Sequence, residues 1–262
     1  MDINLTGKHA VVCGASKGIG RASAYELARL GASVTLVARS EESLQAAMRI
    51  LEKVEDQEHR ILVADFADSQ GLKARITEHL AAYGPAHILV NNTGGPAAGP
   101  AQDASLDEFE RAFSQHLLCN HILAQAILPG MKEAQYGRII NIISTSVKVP
   151  IKGLGVSNTI RAAVANWAKT LAGEVAPFGI TVNNVLPGAT DTDRLDEIIG
   201  GKAKKLGTTK DAVIAEEKSS IPAGRFGTPA ELAAAVAFLA SPAAAYINGI
   251  NLPVDGGRTG CL

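Results

Sequence analysis

Short, unbroken apolar runs alternate along this chain with longer segments of helical spacing, and this alternation constrains the fold more than any other feature. His9 to Cys13 (HAVVC) leads into a glycine cluster, after which Ala24, Leu27 and Ala28 recur at helical intervals up to Gly31. The pairing then repeats. Strands are expected at 34–38, 60–64, 87–90, 138–143, 180–186 and 250–254, and helices at 41–54, 69–83, 105–131, 155–176 and 230–240. Strands without polar alternation are buried on both faces, as in a parallel sheet covered by helices. The expectation is a single doubly wound, Rossmann-type α/β domain over residues 1–262, with a mostly parallel sheet of about seven strands and helices on both faces. Residues 189–220 interrupt the pattern. They are more polar and carry Gly200-Gly201 and the run Lys202-Ala203-Lys204-Lys205, so they are expected to form a lid over a substrate.

Charge excludes several classes of function. Lys and Arg number 25 against 26 Asp and Glu, a net charge of −1, which is no electrostatic footprint for nucleic acid or an anionic membrane. The longest apolar run, about 232–240, falls far short of the roughly 20 residues that span a bilayer. The first residues lack the pattern of a secretory signal, and a soluble, cytoplasmic protein is expected. Cys13, Cys119 and Cys261 are widely separated and read as reduced thiols. None of the six histidines has metal-ligand spacing, so no metal site is expected.

The first strand–helix junction reads G-x-x-x-G-x-G, from Gly14 through Ser16, Lys17, Gly18 and Ile19 to Gly20. Glycines there permit a tight turn and close approach of backbone to a pyrophosphate, at a helix end rich in free N–H groups. The second strand ends in Val37-Ala38-Arg39-Ser40, with no acid to bind the adenosine ribose hydroxyls of NAD. Arg39 and Lys17 suit a 2′-phosphate instead, which points to NADP(H).

At this point the chain resembles the short-chain dehydrogenases/reductases, over essentially its whole length. The likeness rests on the glycine loop, on Ala64-Asp65-Phe66, on Asn91-Asn92-Thr93-Gly94, on Gly137 to Asn141, on Thr181 to Gly188, on Pro222 to Thr228 and on Val254-Asp255-Gly256-Gly257. The run NNTGGP is closest to a divergent branch resembling 3-oxoacyl-[acyl-carrier-protein] reductases. The resemblance implies that Asp65 contacts the adenine, with Phe66 in the same cofactor set. It implies further that Asn91 and Gly94 line the adenosine ribose and that Pro187, Gly188 and Thr192 hold the nicotinamide carboxamide.

The family's catalytic set is Asn, Ser, Tyr and Lys, the last two as Y-x-x-x-K, and that motif is absent. The tyrosines are Tyr25, Tyr83, Tyr136 and Tyr246, none at the matching place. Alignment puts Ser157 at the tyrosine position, Arg161 at the lysine position, Ser144 at the serine position and His116 at the asparagine position. An aliphatic hydroxyl is a far weaker acid than a phenol, and Arg161 keeps the charge of lysine without shuttling protons. Imidazole titrates near neutrality. His116 is therefore a candidate proton donor, direct or through water, with Ser144, Ser157 and Arg161 binding the carbonyl oxygen. The plainer alternatives are that His116 packs within its helix against a backbone carbonyl and that Ser157-Asn158 caps a helix. Lys148 and Lys152 read as solvated loop cations.

Three functions fit these residues. The first is an NADP(H)-dependent reductase of a carbonyl or acyl substrate with an atypical proton donor. The second is an NADP(H)-binding pseudoenzyme, and the third a non-redox lyase or isomerase. The expected partners are a small-molecule or acyl substrate, with no nucleic acid and no membrane. The resemblance also implies a homo-oligomer, tetramer or dimer, packed through the long helices at 105–131 and 155–176. Ala162, Ala163, Ala165 and Ala168 would allow close helix approach there, or equally packing on the chain's own sheet.

Overall fold

Apolar side chains on successive strand positions point to opposite faces, so each strand feeds two cores at once. The computed structural model describes residues 1–54 and 56–261. The strands are β1 (His9–Cys13), β2 (Ser33–Ala38), β3 (Arg60–Val63), β4 (Ile88–Asn91), β5 (Gly137–Ile142), β6 (Ile180–Pro187) and β7 (Asn251–Val254). They form one parallel sheet in the order β3-β2-β1-β4-β5-β6-β7. The helices are α1 (Gly18–Arg29), α2 (Glu41–Met48), α3 (Ser69–Tyr83), α4 (Leu106–Phe113), α5 (Cys119–Glu133), α6 (Gly155–Val175), α7 (Asp193–Leu206), α8 (Lys210–Ser219) and α9 (Pro229–Ala240).

Ala10 and Val12 of β1 pack with Ala24 and Leu27 of α1 and with Leu232 and Val236 of α9. Val11 and Cys13 face the other way, into Leu72 and Ile76 of α3 and Leu123 and Ile127 of α5. Burying each such leucine or isoleucine contributes about 1.5–3 kcal/mol, which is why the strands carry no polar alternation. Helix ends follow local chemistry. Ser105 with Glu108, and Thr228 with Glu231, form reciprocal capping boxes at α4 and α9.

The sheet also contains a ladder of amides. Asn91, Asn141, Asn184 and Asn251 are register partners on β4, β5, β6 and β7. Each donates to the next, at 2.8, 2.9 and 2.8 Å.

Three expected boundaries differ. The helix expected over 41–54 ends at Met48. The chain then turns back because the buried Gln57 amide donates to Ala28 and Ala32 carbonyls while its oxygen accepts from Val54 N. The helix expected over 105–131 is interrupted by a π-turn at Ser114–Leu118. Residues 189–220 contain two capped helices, α7 and α8, entered through Thr192 and Thr209. Among the described residues no helix is long and apolar enough to cross a membrane.

Candidate functional site

The strand order reverses between β1 and β4, and in open parallel sheets ligands bind at the carboxyl ends of the strands flanking such a reversal. A cleft of about 1000 Å³ lies there. Of the expected cofactor residues, Gly14, Ser16, Lys17, Gly18, Ile19, Arg39, Asp65, Phe66, Gly94, Pro187, Gly188 and Thr192 line it, together with Ser144, Ser157 and Arg161.

The β1–α1 loop is built for close approach. Gly14 has φ +59°, and a Cβ there would sit 2.6 Å from the Asn92 carbonyl oxygen. A Cβ at Gly20 would collide with the Gly14 carbonyl, so Gly20 shapes the loop from inside and does not face the cleft. The Asn92 side-chain amide donates to the carbonyls of Cys13 and Gly14 at 3.2 and 3.4 Å, fixing the loop against β4. Helix α1 starts without a side-chain cap and without an acid in its first turn, leaving its N–H groups free for an anion. These features fit a dinucleotide diphosphate. Arg39 stands beside them with no ion pair among the described residues, whereas Lys17 lies 3.0 Å from Asp193 at the start of α7. Both partners of that pair are largely exposed, so the contact is weak.

Asn91 corrects an expectation. It is 2% exposed, and its side chain is the first rung of the amide ladder, so the residue is absent from the cleft wall. Its neighbours Asn92 and Thr93 line the cleft instead. Ser157 corrects another. Helix α6 starts at Gly155 after Leu154, so Ser157 lies inside its first turn and faces the cleft, while Asn158 secures the preceding loop through Ile151 N and O. Ser144 lies two residues beyond the end of β5 and accepts from Ser146 N at 3.0 Å. Lys148 and Lys152 do not line the cleft.

His116 departs furthest from its expected role. It sits in the π-turn, is 1% exposed and is absent from the cleft wall. Burial, with the nearby Arg161 charge added, lowers its pKa to about 3. The imidazole is therefore held in its neutral form at physiological pH. It does not bond a backbone carbonyl. Its Nδ1 lies 2.5 Å from Thr93 Oγ1, and Nε2 is buried with no partner. A stranded lone pair costs less than a stranded N–H, above all near a cation. This favours the tautomer in which Nδ1–H donates to Thr93, and in that tautomer the Thr93 hydroxyl hydrogen is free for the cleft. Thr93 stands in the run NNTGGP, but only the π-turn brings His116 to it.

Arg161 is 7% exposed and lines the cleft. Burial lowers its pKa to about 10, so it remains charged at neutral pH. Its Nη1 donates to the Ile142 carbonyl at 3.3 Å, and no carboxylate among the described residues pairs with it. No tyrosine reaches the site. Tyr25 OH donates to Glu52, Tyr136 OH to the Ala240 carbonyl, and Tyr83 and Tyr246 are exposed away from the cleft.

Comparison with known proteins bears on the family of this fold. A family model described as "Enoyl-(Acyl carrier protein) reductase" matches residues 14–259. A 3-oxoacyl-[acyl-carrier-protein] reductase of Vibrio harveyi is 36% identical over 255 residues, covering 97% of this chain and 98% of the relative. An NADPH-dependent reductase of Bacillus subtilis is 32% identical, covering 95% and 96%. The crystal structure of L-sorbose reductase from Gluconobacter frateurii, complexed with NADPH and L-sorbose, superposes with a TM-score of 0.93 at 31% identity, covering 100% of each chain.

Proposed function

The chain belongs to the short-chain dehydrogenase/reductase family, and from that premise we propose that it reduces a carbonyl compound, a 3-oxoacyl-like substrate or another small ketone or aldehyde, with NADPH. The observation that carries this reading is the pairing in one cleft of an intact dinucleotide cradle with Ser144, Ser157 and Arg161. When bound, NADPH supplies a hydride. The β1–α1 loop and the start of α1 hold its diphosphate, and Arg39, aided by Lys17, holds the 2′-phosphate. Asp65 and Phe66 flank the adenine, Gly94 the adenosine ribose, and Pro187, Gly188 and Thr192 the nicotinamide side.

At the reacting carbonyl, Ser144 and Ser157 donate hydrogen bonds to the oxygen. Arg161 stabilises the negative charge that develops there, which a fixed cation in a poorly hydrated site does strongly. The proton that neutralises the alkoxide comes from water through the Ser157 hydroxyl. Arg161 therefore replaces the stronger acid of the family pattern with charge stabilisation. Helices α7 and α8 form the lid, tied across the mouth by Lys17–Asp193 and by Arg194, which donates to the Pro96 carbonyl at 3.0 Å. The protein acts in the cytoplasm as a homodimer or tetramer, a reading supported by exposed Leu106, Phe113 and Leu118 along the long helical segment.

The lack of any tyrosine in the cleft favours a second reading, an NADP(H)-binding pseudoenzyme. NADPH consumption during incubation with aldehydes, ketones and 3-oxoacyl thioesters separates the two. Turnover supports the reductase, and tight NADPH binding without turnover supports the pseudoenzyme.

A further inference from the structure

The guanidinium of Arg161 is a buried cation with no carboxylate partner among the described residues. One of its nitrogens meets the Ile142 carbonyl at 3.3 Å, and another lies beside the Gly95 backbone, 3.8 Å from where a Cβ would stand. His116, close enough for the Arg161 charge to lower its pKa, is held neutral and offers no negative charge. A buried charge left unpaired costs several kcal/mol, and buried arginines normally have a carboxylate across from the fork. Here the open side of the fork is the cleft itself, because Arg161 lines it while remaining 7% exposed.

The surroundings restrict what can complete the pair. Val149, Pro150, Ile151, Leu154 and Ile198 line the same cleft and give its outer part an apolar wall. Thr93 lines it too, its Oγ1 2.5 Å from His116 Nδ1; with Nδ1 protonated, the Thr93 hydroxyl hydrogen is free to bind a ligand. A ketone or aldehyde oxygen is neutral before reaction and leaves the guanidinium unpaired in the substrate complex. A carboxylate supplies the missing full charge and the planar, two-oxygen geometry that the fork matches.

We propose that the substrate is an oxo acid carrying a free carboxylate one or two carbons from its carbonyl, with Arg161 and Thr93 gripping the carboxylate and the apolar wall taking the chain. At that spacing one guanidinium reaches both the carboxylate and the neighbouring carbonyl oxygen. This rests on the reductase reading for its reaction, but the anion site stands without it. Thr93 is a binding residue, and His116 is a positioning residue that acts through it.

The test compares acids with their methyl esters. With NADPH present, 2-oxohexanoate and 3-oxohexanoate are expected to show KM values at least ~10-fold lower than their esters, since a charge-assisted hydrogen bond contributes ~1.5–3 kcal/mol and each 1.4 kcal/mol is tenfold. Arg161→Gln raises KM for the acids and leaves KM for the esters nearly unchanged, while kcat falls for both. His116→Leu and Thr93→Val each raise KM for the acids, and the double variant is no worse than either alone. A binding readout runs in parallel: hexanoate, which has no carbonyl to reduce, raises the melting temperature of the wild-type protein and not that of Arg161→Gln, and methyl hexanoate raises neither. Should no oxo compound be reduced while hexanoate still stabilises through Arg161, the reductase reading falls and the anion site stands. Equal KM values for acid and ester in the wild-type protein overturn the proposal, even if Arg161→Gln fails to fold. So does an Arg161→Gln protein that loses NADPH affinity while keeping the acid preference, because Arg161 then serves the cofactor.

Discussion

The imidazole Nδ1 of His116 lies 2.5 Å from the Thr93 hydroxyl while its Nε2 is buried without a partner. A histidine in this state is a fixed hydrogen-bond donor, not a titrating acid. With its pKa lowered to about 3 by burial and by Arg161, it is neutral across the range in which enzymes are assayed. Turnover measured from pH 5.5 to 8.5 is therefore expected to show no ionisation near 6.5, and His116→Gln to leave the shape of the profile unchanged. An acidic limb near 6.5 that disappears in His116→Gln would instead restore His116 as the proton donor.

The amide ladder makes Asn141 a structural residue. Its side chain accepts from Asn91 and donates to Asn184, both buried. Asn141→Ala strands one donor and one acceptor, a cost of about 2–4 kcal/mol. At ~2–4 °C per kcal/mol for a chain of this size, Tm falls by about 5–15 °C. The check is thermal unfolding beside NADPH affinity, which is expected to change little. A Tm within about 1 °C of wild type contradicts the ladder's role.

Acid sensitivity follows from buried imidazoles. Burial lowers the pKa of His9 to about 4, and burial also lowers His59, His79 and His87. Above the unfolded-state value of about 6.5 both folded and unfolded chains leave these groups neutral, so their contribution is intact. Between about 6.5 and 4 the unfolded chain takes up protons that the folded chain refuses, and stability is lost. His9 alone accounts for a loss on the order of 3 kcal/mol. Urea unfolding is expected to show the loss beginning near pH 6.5, above the range in which carboxylates titrate. A free energy flat from pH 7.5 to 5 is the contrary result.

Much of the fold is legible in the sequence because its causes are local. The strand His9–Cys13 is apolar from Ala10 onward since both faces are buried, and α3 fills the expected 69–83, between the Asp68 cap and Gly84 at φ +87°. The end of α2 is not legible, because Gln57 reaches across to α1 to turn the chain. Among the site residues, the glycine loop follows from spacing. The family motif points Asn91 toward the cofactor, but its direction depends on register with β5. The His116–Thr93 contact depends on a π-turn, which has no apolar period to betray it.

Cofactor preference rests on the charges beside the glycine loop. Arg39 has no ion pair among the described residues, and Lys17 shares its charge with Asp193. Arg39→Ser is expected to weaken NADPH binding by ~10–100-fold, as the loss of a charge-assisted contact implies, with NADH little affected. Asp193→Asn releases Lys17 and tightens NADPH by a factor of ~2–5, the scale of an exposed pair. Fluorescence titration with both nucleotides reads both effects. Equal weakening of NADPH and NADH in Arg39→Ser contradicts the assignment.

In the proposed mechanism, charge stabilisation by Arg161, with hydrogen bonds from Ser144 and Ser157, sustains carbonyl reduction without a phenol. Its most direct test follows NADPH absorbance and product formation together over a panel of aldehydes, ketones, 3-oxoacyl thioesters and oxo acids. One hydroxy product is expected for each NADPH consumed, with the rate at least ~10-fold lower in Ser144→Ala and in Arg161→Gln, the scale of a lost transition-state hydrogen bond. NADPH bound tightly and left unconsumed across the whole panel would contradict this mechanism.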